Sequence, residues 1–186
     1  METARPLGDV RRILIYGVTG SGKTTLAKRL AEATKIEWHS VDDLTWEPGW
    51  VPVPGDEQRR RIQQICEQPK WILDTAYAKW LDVPLERAQL IVALDYPRWF
   101  SLQRLIRRTV ARLLDRREMC NGNHETLRGV FSRDNIIVWH FKSFKRKQQR
   151  IRQWVDDPDA PTVIRFTSPK QAENWVRGLR GRPKTH

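Results

Sequence analysis

The stretch Gly17-Val18-Thr19-Gly20-Ser21-Gly22-Lys23-Thr24 limits what this chain can become more than any other. It fits G-x-x-x-x-G-K-[ST], a pattern whose chemistry needs a strand before it and a helix after it. Gly17, Gly20 and Gly22 leave the backbone free to curl with its N–H groups inward, because glycine accepts positive φ without a Cβ clash. Such a curl at a helix N-terminus makes a nest for phosphate. The spacing places Gly17, Thr19, Gly20, Ser21, Gly22, Lys23, Thr24 and Thr25 around the phosphates of a nucleotide. Lys23 is positioned to reach the β- and γ-phosphates, and the Thr24 hydroxyl to ligate the bridging Mg²⁺. The flanks agree: Arg12 to Tyr16 reads as a buried strand, and Lys23 to Ala33 carries Leu26, Ala27, Leu30 and Ala31 at helical spacing.

The remaining pattern alternates strand and helix. Ile36 to Val41 reads as a second strand delivering Asp42 and Asp43 at its end, and the Pro- and Trp-rich run Leu44 to Pro54 reads as a loop. Asp56 to Glu67 has a helical inner face of Ile62, Ile65 and Cys66. Trp71-Ile72-Leu73-Asp74 is a short buried strand ending in an acid, followed by a loop or short helix broken before Pro84. Leu90 to Leu94 is an uninterrupted apolar strand ending at Asp95. A long helix then runs from Pro97 to about Asp115, with an expected apolar stripe of Trp99, Leu102, Leu105, Ile106, Val110 and Leu113. Asn121-Gly122-Asn123 breaks the pattern, so residues 113–135 are the expected lid. A helix from Ser132 to Val155, a fifth strand Thr162 to Phe166 and a last helix capped by Ser168 follow, with residues 181–186 as a frayed tail. Strands separated by helices predict one α/β domain spanning residues 1–186, with a parallel, helix-covered sheet.

Composition matters through where the charge lies. Of the formal +12, a net +11 falls between Arg98 and Arg152, where fifteen Lys/Arg face four Asp/Glu. A basic segment of this kind serves nucleic acid, anionic membrane, or a site handling two polyphosphates. No run approaches the roughly 18 apolar residues of a membrane span, and Met1 to Gly8 lacks the apolar core of a signal peptide. Cys66 and Cys120 have no C-x-x-C partner and read as reduced thiols of a cytoplasmic protein. His39, His124, His140 and His186 lack metal-ligand spacing, and none is assigned to catalysis.

With these residues in view the chain resembles the nucleotide-kinase branch of P-loop proteins, and within it the bacterial adenylate-kinase-related proteins that include the FlaR-type topology modulation proteins. The resemblance rests on Gly17 to Thr25, on Val41-Asp42 with Trp46-Glu47-Pro48-Gly49-Trp50, and on Trp71 to Asp74. It continues through Leu94 to Trp99 and through Arg116-Arg117-Glu118 with Asn121 to Glu125. It implies a three-layer α/β/α sandwich with a five-stranded parallel sheet ordered 2-3-1-4-5, an arginine-bearing lid, and γ-phosphoryl transfer from ATP. The chain departs from it at Thr75-Ala76-Tyr77, where relatives carry Gly-Asn-Tyr, and at Met119-Cys120, where they carry Leu-Trp.

Phosphoryl transfer needs positioning and charge neutralisation more than covalent chemistry. Arg104, Arg108 and Arg112 are spaced four apart and share a helical face, with Arg116 at its far end. Arg108, Arg112 and Arg116 match lid arginines of the relatives and are the expected phosphate contacts. Asp42 is expected to orient the acceptor hydroxyl as general base, to hold a Mg²⁺-bound water or to bind an acceptor amine, and Asp74 to support Mg²⁺ through Thr24. Asp42, Trp46, Trp50 and Tyr77 are the expected acceptor site, a planar group stacking on the tryptophans. The leading expectation is therefore a kinase using ATP and Mg²⁺ on a small acceptor, a nucleoside monophosphate being favoured because a charged acceptor needs its own cations. The alternative is a nucleic-acid-associated ATP-binding regulator using residues 98–152. It is weaker because no DNA- or RNA-reading motif is present. A GTPase switch is poorer still, since N-K-x-D and a D-x-x-G after the loop are both missing. Oligomeric state is not legible.

Overall fold

The computed structural model describes residues 7–49, 51–75, 79–115, 118–119, 123–124 and 136–180, and within these the side chains of 112–115, 118–119, 123–124, 136–139 and 180 lie outside the description. Of the residues named above, Trp50, Tyr77, Arg116 and nearly all of the expected lid fall outside, as do the tail and the side chain of Arg112.

Five strands, β1 (Arg12–Gly17), β2 (Trp38–Ser40), β5 (Trp71–Thr75), β6 (Leu90–Leu94) and β9 (Thr162–Phe166), form one parallel sheet in the order β2-β5-β1-β6-β9. Counted along the chain, that is the 2-3-1-4-5 order the resemblance implies. Successive side chains on a strand point to opposite faces, and β1 shows the consequence. Ile13 and Ile15 pack on one face against Leu26, Ala27 and Leu30 of α1 (Lys23–Thr34) and Ala172, Trp175 and Val176 of a C-terminal helix, here α7 (Pro169–Arg180). Leu14 and Tyr16 pack on the other face against Ile62, Ile65 and Cys66 of α3 (Gly55–Cys66). Val83 of α4 (Asp82–Arg87) and Ile151 of α6 (Ile136–Asp156) complete that side. All four β1 side chains are essentially without solvent contact. Residues apolar at every position therefore read as a strand buried on both faces, and the molecule is a three-layer α/β/α sandwich.

Several local expectations are corrected. The second strand is shorter than Ile36 to Val41, because Val41 opens a one-turn helix α2 (Val41–Thr45) with Asp42 and Asp43 in its first turn. The expected loop is a small hairpin, β3 (Trp46–Glu47) with β4 (Val51–Pro52), pairing Trp46 with Pro52 and using Gly49 at φ 81°, and a second two-stranded pair joins β7 (Glu118–Met119) with β8 (Asn123–His124). Pro84 does not break α4, since it sits in the first turn, where no intrahelical N–H bond is lost. At α7 the expectation holds: Ser168 stands at the N-cap before Pro169, and Gln171 Oε1 accepts from its backbone N–H at 3.2 Å. This is the return half of a capping box.

The stripe expected on α5 (Arg98–Asp115) is also displaced. Ser101, Leu105 and Thr109, four apart, are buried, whereas Trp99, Ile106 and Val110 are 66%, 42% and 50% exposed. Ser101 and Leu105 lie against Gly20, so the face that touches the loop, and not the most apolar face, is the buried one. The last strand-end acid, Asp95, is absorbed by structure: Arg165 Nη2 lies 2.6 Å from Oδ2, and Gln148 Nε2 donates to Oδ1 at 3.1 Å.

Candidate functional site

The loop between β1 and α1 has the shape its glycines allow. Gly20 and Gly22 take φ of 83° and 94°, the left-handed region where a Cβ would clash with backbone. Gly17 is different from expectation, for it is not left-handed. A Cβ there would lie 2.9 Å from Ser21 Oγ and 3.0 Å from the Leu94 carbonyl oxygen, so the missing side chain makes room for β6. A Cβ on Gly20 would run into the Ser101 carbonyl oxygen of α5. Ser21 is buried inside the curl, while Thr19 is half-buried and Thr25, at the start of α1, is exposed.

Lys23 folds back into the loop, Nζ donating to the Val18 carbonyl at 3.1 Å. Burial pulls its pKa down, nearby Asp74 and Asp42 oppose that, and Arg108 adds to it. Thr24 Oγ1 donates to Asp74 Oδ2 at 2.7 Å, joining residues fifty positions apart. Asp74 is 5% exposed. Its burial raises the carboxyl pKa, while the Lys23 charge and the Thr24 hydroxyl hold it down. The strand-end acid, the loop lysine and the loop threonine thus meet as the spacing predicts.

Asp42 reaches the same place from α2, exposed and within electrostatic range of both Lys23 and Asp74. Trp46 is half-buried in the hairpin, which is tied to α3 by Arg61, whose Nη2 is 3.1 Å from Glu47 Oε1. Of the arginines, Arg108 acts on Lys23. Arg104 comes nearer the loop than its sequence reading suggests. A Cβ on Gly22 would lie 3.3 Å from Arg104 Nη1, and the same guanidinium sits 5.5 Å above the Phe100 ring centre. Arginine over an aromatic face is held in place without losing its donors.

Lys147 is the residue that sequence reasoning missed. It lies on α6 with only 2% exposure, within electrostatic range of Lys23 and Asp42. Burial and then the Lys23 charge pull its pKa down to about 7, Arg146 adds to this, and Asp42 opposes it. A signal existed: Phe144, Lys147, Ile151 and Trp154 follow the 3-4-3 spacing of one helical face, so the lysine interrupts a core stripe. The basic segment conceals this because Lys142, Lys145 and Arg152 around it are exposed.

The His140 ring supports the site from behind. It is fully buried, Nε2 lies 2.9 Å from Ser101 Oγ, and burial together with Arg98 and Lys147 pushes its pKa down to about 4. Ser101 in turn presses its carbonyl on Gly20, so α6, α5 and the loop form one packed chain of contacts. Among the described residues no three His, Cys, Asp or Glu side chains converge as a metal cluster. No helix among the described residues is long and apolar enough to cross a membrane.

The sheet order, the glycine loop and the Thr24–Asp74 contact together define the fold of P-loop kinases. Solved structures agree with that class. The chain is similar to the shikimate kinase of Acinetobacter baumannii in complex with shikimate at 19% identity and a TM-score of 0.55, covering 93% of this chain and 92% of that one. It is similar to a gluconokinase of Sinorhizobium meliloti 1021 at 14% identity and a TM-score of 0.51, covering 94% and 93%. A sugar kinase of Janibacter sp. HTCC2649 gives 17% identity and a TM-score of 0.50, covering 91% of each chain. At these identities the likeness is one of fold. A family model described as PduV-EutP, ethanolamine utilisation and propanediol utilisation, matches residues 10–67, the third of the chain that contains the loop. A sequence search of curated proteins finds no match.

Proposed function

We propose that this chain is an ATP-dependent small-molecule kinase that transfers the γ-phosphoryl group to an acceptor held between Asp42 and the Trp46 hairpin. The carrying observation is the hydrogen bond of Thr24 Oγ1 to buried Asp74 Oδ2 at 2.7 Å, directly after a loop lysine. A threonine hydroxyl backed by a buried carboxylate fits Mg²⁺, with Thr24 as ligand and Asp74 holding a bound water. When bound there, Mg²⁺ would neutralise charge on the donor phosphates.

The protein's own groups do the rest. The loop N–H groups and Lys23, released from the Val18 carbonyl, bind the phosphates. Asp42 takes the acceptor's proton as the acceptor oxygen bonds to the γ-phosphorus and the bond to the β-bridging oxygen breaks. Arg108 offsets charge at the transferred group, Arg112 and Arg116 are its further phosphate contacts on this reading, and Tyr77 and Trp50 contact the acceptor. Arg104, over Gly22 and Phe100, belongs to the donor side. The resemblance to adenylate-kinase-related and FlaR-type proteins favours a nucleoside monophosphate as acceptor, whereas the kinase names of the structural neighbours favour a small hydroxyl acid or sugar. The protein works in the cytoplasm on this reading.

The deciding experiment is an ATP-consumption screen over nucleosides, nucleoside monophosphates, sugars and small hydroxy acids, with Lys23→Ala as control. Turnover with one class, reduced in Lys23→Ala by a factor of about 10²–10³ or more, is the expected result. No turnover with any acceptor sinks the kinase reading. Exposed Lys142, Lys145 and Arg152 keep a nucleic-acid reading in play. DNA retardation that survives near-physiological salt and is lost when these charges are removed favours it.

A further inference from the structure

The donor and acceptor sides of the site differ in charge. The donor loop has Arg104 against Gly22, on a segment whose net charge is +11. The acceptor side, from Val41 to Cys66 through α2, the hairpin and α3, holds five carboxylates, Asp42, Asp43, Glu47, Asp56 and Glu57, and three arginines, a net of −2. Trp50 and residues 76–78, the part of this side outside the described residues, carry no charged side chain.

Those three arginines are where a clamp for an acceptor phosphate would come from. α3 ends at the turn into the foot of β5, so its first turns lie at the opposite end of the sheet, the end that carries Asp74 and the loop. Gln58 fastens them there, its Nε2 donating to the Val53 carbonyl at 2.6 Å. Each arginine is already engaged. Arg59 donates to both carboxylate oxygens of Asp82, at 3.2 and 2.6 Å. Arg60 grips Glu57 through Nε and Nη2, both at 2.7 Å. Arg61 donates to Glu57 Oε1 at 2.9 Å and, across to the hairpin, to Glu47 Oε1 at 3.1 Å. Glu57 therefore holds two guanidiniums at once. Forks filled in this way offer to carboxylates the donors that a phosphate would take. Lys79 adds one ammonium, lying 2.7 Å from where a Gly55 Cβ would be, at the turn that carries Asp56 and Glu57. An anion arriving here meets like charge.

We propose that the acceptor is an uncharged or amine-bearing hydroxyl compound of the sugar or nucleoside kind, and that the carboxylates holding Arg59, Arg60 and Arg61 exclude its phosphorylated counterpart. The inference rests on the kinase reading and chooses among its acceptors, setting the nucleoside monophosphate aside. The acceptor oxygen gains the γ-phosphoryl group, ADP leaves, and the hydroxyl proton passes through Asp42 to solvent. The product then carries the charge that this side repels, which favours its release.

The test is steady-state kinetics of the whole protein with ATP and matched pairs, each nucleoside beside its monophosphate and each sugar beside its sugar phosphate. The expected kcat/KM is at least about tenfold higher for the uncharged member of the productive pair. Added salt is expected to lower KM for the phosphorylated member, by screening the repulsion, and to leave KM for the uncharged one flat. Glu57→Gln removes a negative charge and releases Arg60 and one bond of Arg61. It is expected to narrow the discrimination by about three- to tenfold, through KM for the phosphorylated member, with kcat for the uncharged member near the wild-type value. Preference of the wild type for the phosphorylated member overturns the inference and leaves the kinase reading in place. Discrimination equal to wild type in a Glu57→Gln protein of unchanged melting temperature overturns the part given to the arginines. No turnover with either member of any pair removes the kinase reading, and the inference with it.

Discussion

Gly20 shows how much one missing side chain decides. Its φ of 83° and the Ser101 carbonyl pressed against it leave no place for a methyl group. Gly20→Ala is expected to cost about 1–3 kcal/mol through the strained backbone alone, with the clash added. In a chain of this size that lowers the melting temperature by several degrees, and it weakens Mg·ATP binding beyond what the stability loss explains. Thermal unfolding with and without nucleotide checks both halves. Gly49, also left-handed but with open space around it, pays only the backbone strain. At this scale the sequence was informative where chemistry is local: Lys23, Thr24 and the strand-end Asp74 meet as their spacing predicts. It was silent on Arg104, because four arginines at four-residue spacing look alike until a neighbour distinguishes them. That neighbour is Gly22, eighty-two positions away.

Among the elements, the two strand-end acids have opposite fates. Asp74 at the end of β5 faces Thr24, while Asp95 after β6 is clamped by Arg165 from β9 and Gln148 from α6. Asp95→Asn is therefore expected to behave as a packing defect. It should destabilise by about 2 kcal/mol, below the figure for a fully buried pair because Arg165 is more than a third exposed. Activity per folded molecule should remain near the wild-type level, and denaturant unfolding beside turnover at low temperature measures the two separately. A kcat loss without a stability loss would return Asp95 to the site. Strand identity was legible because unbroken apolar runs have few other uses. Helix rotation was not, and α5 is the case in point: its apolar side chains Trp99, Ile106 and Val110 face outward, since the face carrying Ser101 and Leu105 lies against the loop.

At the level of the whole molecule, α6, α5 and the loop are linked through His140 and Ser101. The folded-state pKa of His140 lies near 4, below the ordinary 6.5. A base depressed on folding binds protons more tightly when unfolded, so its neutral burial supports the fold fully above pH 6.5 and less as pH falls toward 4. The loss over that window is on the order of 3 kcal/mol. Unfolding free energies from pH 4 to 7.5, compared with His140→Gln, measure it: the variant should lack this share of the acid sensitivity. Identical pH profiles would show that His140 protonates freely in the native state. The exposed basic surface on α6 answers to salt.

The sequence by itself determined the strand–loop–helix unit and the parallel α/β architecture, because glycine placement and apolar period act over a few residues; the contact of Thr24 with Asp74, fifty positions on, is closed by the pairing of β1 with β5. The 2-3-1-4-5 order came from resemblance and was confirmed by pairing. Only the tertiary structure decided which members of the basic segment turn inward. Lys147 is buried and Arg104 lies against Gly22, while Lys142 and Lys145 stay in solvent. The reason is that the rotation of α5 and α6 is set by contacts across the chain, such as Ser101 with His140 and Gln148 with Asp95. A period of 3.6 residues says that a helix has faces, and the packing partners say which one is inside.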